Sequence, residues 1–72
     1  MPHISLTLYK GRSLAEREYI SKTLQKCLME AVGWKAEDIS VSLEQVAADE
    51  FVLTVRDKMK FEELIIPSDF IK

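Results

Sequence analysis

The sequence predicts an α/β (α+β) fold: a single βαβ unit with parallel strands, a short C-terminal helix or tail, and a sheet completed by self-association. Three observations carry this. Two segments alternate apolar and polar residues, around Ile4–Leu8 and Ile39–Val46. A helix signal of about twenty residues separates them, and strand, helix and strand in that order form a right-handed parallel crossover. The chain is short, at 72 residues, and 47% hydrophobic. A domain of this size buries only about 60% of its unfolded surface and usually needs disulfides, metals or a partner copy.

In the first strand Ile4, Leu6 and Leu8 face one way, and Ser5, Thr7 and Tyr9 the other. Lys10-Gly11-Arg12 is a turn. Ser13 to Glu16 reads Ser-x-x-Glu, a capping box that opens a helix. Ile20, Leu24, Cys27, Leu28 and Ala31 form its expected apolar stripe, with Glu16, Arg17, Glu18, Lys22 and Lys26 on the wet side. Gly33 is the C-terminal stop. In the second strand Ile39, Val41 and Leu43 alternate with Ser40, Ser42 and Glu44. Two strands do not make a stable sheet alone, so a second subunit is expected to extend the sheet or cover its other face. Val52, Val55 and Met59 fit a short helix. Leu64-Ile65-Ile66 reads as a brief strand or packing segment, and Phe70 and Ile71 as residues that dock on another surface.

The whole chain, 1–72, reads as one domain. One cysteine, Cys27, forms no intrachain bridge, and Cys27 with His3 is too sparse for zinc. Neither a metal nor any other cofactor is expected. The net charge is 10 − 12 = −2 with no basic stripe, so nucleic acid is not an expected partner. There is no apolar run of membrane-spanning length and no signal-peptide pattern, so no membrane partner and a reduced, cytoplasmic setting are expected.

Pro2 stands directly before the first strand. Removal of Met1 turns the Pro2 nitrogen into a free secondary amine, held rigidly by its ring. With Met1 retained, the same nitrogen is an amide without useful basicity.

Taken together, Pro2 at the head of a strand, the Gly11-Arg12-Ser13 turn and Phe51 after the second strand resemble the tautomerase superfamily. The likeness is to the small-subunit group typified by 4-oxalocrotonate tautomerase, and it runs from Pro2 to Phe51 without a gap. It implies a cofactor-free isomerase, a keto–enol tautomerase with Pro2 as catalytic base and acid and with Arg12 and Phe51 binding substrate. The chain departs from the group at two places. Ser40 stands where the typical member has a second arginine, and no glycine follows Gly33 to build the usual C-terminal hairpin. The tail is more similar to the dimeric branch, which shares the Met-Pro-His-Ile start and acts on phenylpyruvate-like enols. A homodimer is therefore the expected assembly, with a hexamer as the alternative.

Tautomerisation needs a base that is neutral near pH 7. An ordinary α-amino group is only about 15% free base there. Desolvation and nearby positive charge both lower such a pKa; Phe51 with interface residues suits the first role and Arg12 the second. Arg12 also suits a bidentate grip on the carboxylate of a 2-oxo acid. With Ser40 in place of a second clamp, the expected substrate is a small 2-oxo monocarboxylic acid with an apolar body, and Ser40 lines its pocket. Two other readings stand beside this one. Hydration or dehalogenation of unsaturated acids would recruit Glu44 to activate water. A non-catalytic βαβ oligomerisation module would need no free amine. His3 reads as structural or exposed, and Tyr9 and Trp34 carry no catalytic expectation.

Overall fold

A computed structural model describes all 72 residues. Strand β1 (His3–Tyr9) leads into helix α1 (Leu14–Val32), strand β2 (Ser40–Val46) and helix α2 (Phe51–Lys58). Single 3-10 turns occupy Ala36–Asp38, Ala48–Glu50 and Phe61–Glu63. The strands are parallel and in register from His3 opposite Ser40 to Tyr9 opposite Val46.

Helix α1 starts and stops where the local chemistry requires. The Ser13 hydroxyl accepts the Glu16 N–H at 3.1 Å, and the Glu16 carboxylate accepts the Ser13 N–H at 3.4 Å. Each half of this reciprocal box satisfies a donor that the first helical turn leaves free. Gly33 ends the helix in the left-handed region at φ 73°, its N–H donating to the Met29 carbonyl.

The α1 side chains that turn inward differ in part from the expected stripe. Ile20, Leu24 and Leu28 are half-buried as expected, whereas Cys27 and Ala31 are exposed. Arg17, Ser21 and Gln25 take the inward positions instead. The polar residues there use their reach. Arg17 lies beside Leu43 with its Nε shielded and unpaired. Gln25 donates to the carbonyls of Ala36 at 2.9 Å and Ile39 at 3.2 Å, tying the helix to the entry of β2. Long polar side chains can cover apolar surface with their stems, and apolar periodicity alone does not register this.

The other sheet face is not left wholly to a partner. Helix α2 lies over it: Val55, Lys58 and Met59 line a cleft with Ser5 and Thr7, and Lys58 pairs with Glu44 at 2.6 Å. Leu64-Ile65-Ile66 forms no strand, and Ile65 and Ile66 are each 84% exposed. Of the two terminal apolar residues, Ile71 is buried and Phe70 is exposed.

The fold is open. Only Ile39 and Ile71 are buried. The accessible surface is 5808 Å², against about 4,600 Å² for a compact monomer of this mass. The radius of gyration is 13.3 Å, against about 11 Å for a compact chain of this length. Both comparisons describe a chain that leaves apolar surface uncovered. No helix is long and apolar enough to cross a membrane.

Candidate active site

The turn after β1 is set by three features. The Lys10 N–H donates to the Val46 carbonyl at 3.0 Å. The Arg12 N–H donates to the Gln45 side-chain oxygen at 3.1 Å. Between them Gly11 has φ 120°, a conformation that side chains with a Cβ rarely adopt. The turn is thus fastened to the end of β2, and Arg12 emerges over the C-terminal end of β1.

There it lines a pocket of about 550 Å³ with Tyr9, Lys10, Glu16, Phe51 and Phe70. This volume is in the range of small-molecule sites. Phe51 opens α2, and its ring meets Tyr9 edge-on at 5.0 Å between centroids and 88° between planes. That T-shaped geometry is the favoured one for aromatic pairs. The wall is therefore apolar and fixed, while the rim carries two cations, Lys10 and Arg12, and one carboxylate, Glu16.

Glu16 has two tasks. It completes the helix cap and holds Arg12, whose Nη1 donates to it at 3.1 Å. The Arg12 hydrogen bond, followed by the Ser13 N–H, holds the Glu16 carboxyl below its ordinary range. Both partners are more than half exposed, 58% and 51%, so the pair contributes little to stability in water. Its effect is to aim the guanidinium across the pocket mouth. Because the folded-state pKa is lowered, the Glu16 charge favours the fold above the ordinary carboxyl range, and that contribution is lost as pH falls through the lowered value. Glu16→Gln keeps a side chain suited to the capping box but removes the charge. The expected result is a lower Tm than wild type at neutral pH, with the gap narrowing on acidification, as followed by circular dichroism.

Pro2 and Ser40 lie elsewhere. The Ser40 N–H donates to the Pro2 carbonyl at 3.2 Å, at the N-terminal end of the sheet. Beside them the His3 ring sits between Ser40 Oγ at 2.7 Å and Ser42 Oγ at 3.0 Å. In the neutral ring one nitrogen donates to a hydroxyl and the other accepts from the second. The seven residues of β1, at about 3.3 Å each, put about 20 Å between Pro2 and the Arg12 turn. Arg12 and Phe51 are brought together; Pro2 and Ser40 are brought together; the two pairs occupy opposite ends of one chain's sheet.

Glu44, the carboxylate of the hydration reading, is bound by Lys58 and is not among the residues of the pocket. Among the charged and aromatic residues of the pocket, sequence reasoning missed four: Tyr9, Lys10, Glu16 and Phe70. Three had a signal. Tyr9 and Lys10 adjoin the Gly-Arg-Ser turn, and Glu16 is four residues from Arg12 on a helix, at ion-pair spacing. Phe70 had none.

No family model matches the sequence, and a search of curated proteins returns no match. Among solved structures, the chain is similar to TomN, a 4-oxalocrotonate tautomerase homologue in the tomaymycin biosynthetic pathway. The TM-score is 0.67 at 28% identity, over 69% of this chain and 77% of that one. The chain is thus similar, in fold and in sequence, to a member of the 4-oxalocrotonate tautomerase-like group of the tautomerase superfamily. Its βαβ unit with parallel strands is the fold of that group, and the relationship supports an activity of the tautomerase-superfamily type.

Proposed function

We propose that this protein is a cofactor-independent keto–enol tautomerase of small 2-oxo monocarboxylic acids, phenylpyruvate-like enols among them, working in the cytoplasm with Pro2 as base and acid after loss of Met1. The observation that carries the reading is the convergence of Arg12 and Phe51 on one pocket in a chain similar to this superfamily and headed by a proline. Arg12 holds the substrate carboxylate, and charge-assisted hydrogen bonds of this kind contribute about 1.5–3 kcal/mol each. Phe51 packs on the apolar body. The Pro2 nitrogen accepts the proton of the enol hydroxyl, the electron pair moves through C2 to C3, and the same nitrogen returns the proton to C3. The keto acid leaves with no net change of atoms or electrons.

Within one chain the base and the clamp are about 20 Å apart, too far for one small acid. The active unit in this reading is a homodimer in which the two chains lie antiparallel about a two-fold axis. Pro2 and Ser40 of each protomer then meet the Arg12–Phe51 pocket of its partner. The excess of exposed apolar surface supports association. A hexamer of three such dimers satisfies the same requirement.

The test is an enol assay on protein whose intact mass establishes that Met1 is gone. Ketonisation of phenylenolpyruvate well above the uncatalysed rate is expected. Protein that lacks Met1, assembles, and still leaves the uncatalysed rate unchanged sinks the proposal and favours the oligomerisation module.

A further inference from the structure

The C-terminal residues form neither helix nor strand, yet they are anchored. Ile71 is one of the two buried residues, at 7% exposure, in a cleft with Arg56, Met59, Phe61 and Leu64. The Ser68 N–H donates to the Ile71 carbonyl at 2.8 Å, and the Ile71 N–H to the Ser68 hydroxyl at 3.2 Å. These two bonds close a tight turn around Asp69 and Phe70. With Ile71 held in its cleft, Phe70 is left 66% exposed, on the pocket that Tyr9, Arg12 and Phe51 also line. A large ring kept in water by an anchored turn, at a pocket that already holds a fixed aromatic pair, is placed to meet a ligand rather than the core.

We infer that Phe70 is a specificity-determining residue. The anchored turn makes it a wall of the pocket, so that a planar aryl group packs between Phe70 and the Tyr9–Phe51 pair while the carboxylate meets Arg12. Acids without an aryl body gain nothing from it. This rests on the tautomerase reading for its kinetic test, but not for its binding test.

Phe70→Ala is expected to raise KM for phenylenolpyruvate about tenfold, the loss of one buried aromatic contact. KM for the enol of 2-oxobutanoate, which has no aryl group, is expected to change less than about twofold, with kcat held for both. Phe70→Tyr, which keeps the ring, is expected to restore the aryl KM. Independently of turnover, 3-phenylpropanoate titrated into the assembled wild-type protein is expected to shift the NMR signals of Tyr9 and Phe51, and to bind about tenfold more weakly to Phe70→Ala. Binding without turnover in the wild type defeats the tautomerase proposal and leaves this inference standing. Equal effects of Phe70→Ala on both enols, unchanged 3-phenylpropanoate affinity in that variant, or no binding by the wild type overturns it.

Discussion

Pro2→Ala is expected to lower kcat for ketonisation of phenylenolpyruvate by about 10²-fold or more, with KM little changed. A positioned general base contributes about 10²–10⁴ in rate, and the alanine variant still carries an amine after Met1 is removed. What it loses is geometry. The pyrrolidine ring fixes the direction of the nitrogen lone pair on a backbone that is pinned by the Ser40 N–H on the Pro2 carbonyl, whereas the primary amine of alanine rotates freely about its N–Cα bond. Loss of a group that acts on the proton in flight lowers kcat, and uniform binding is left alone. Measuring kcat and KM separately, on samples whose intact masses show the same N-terminal processing, isolates this effect. Equal rates for the two proteins contradict a role for Pro2.

Arg12→Ala has the second largest expected effect, on the other parameter. Removing the guanidinium forfeits charge-assisted bonds of about 1.5–3 kcal/mol, so KM for the enol acid is expected to rise about 10- to 100-fold. The loss does not threaten the fold. Arg12 is exposed, its pairing with Glu16 is a surface one, and the turn is held through its backbone N–H on Gln45. Arg12→Lys restores charge without the planar fork and is expected to recover only part of the affinity. A variant with unchanged KM would show that the carboxylate binds elsewhere, Lys10 being the nearest alternative on the same rim.

Much of this was legible in the sequence because the signals are local. Ser13 and Glu16 cap a helix three residues apart, Gly33 ends it, and strict alternation marks both strands. The separation of Pro2 from Arg12 follows from strand arithmetic once β1 is assigned. What was not legible depends on packing between distant parts. Arg17, Ser21 and Gln25 turn inward on α1 while Cys27 and Ala31 do not, because polar stems that cover apolar surface leave no mark in an apolar periodicity. Helix α2 crosses to the sheet face expected to await a partner, which the sequence does not reveal because Lys58 and Glu44 pair across elements. Phe70 reaches the pocket only because Ile71 is anchored elsewhere, and no periodicity records that.

The site shared between protomers is most directly tested by mixing its two halves. At substrate concentrations well below the wild-type KM, Pro2→Ala and Arg12→Ala proteins are each inactive or weak alone. Unfolded together and refolded, half of the random dimers pair one chain of each kind. In a site shared between protomers, such a dimer has one site lacking both residues and one site intact. The expected result is recovery of about a quarter of the wild-type rate, the share of intact sites in a two-fold assembly formed at random. A refolded mixture that assembles fully, with confirmed mixed dimers, yet is no more active than the mean of its parents contradicts the shared site.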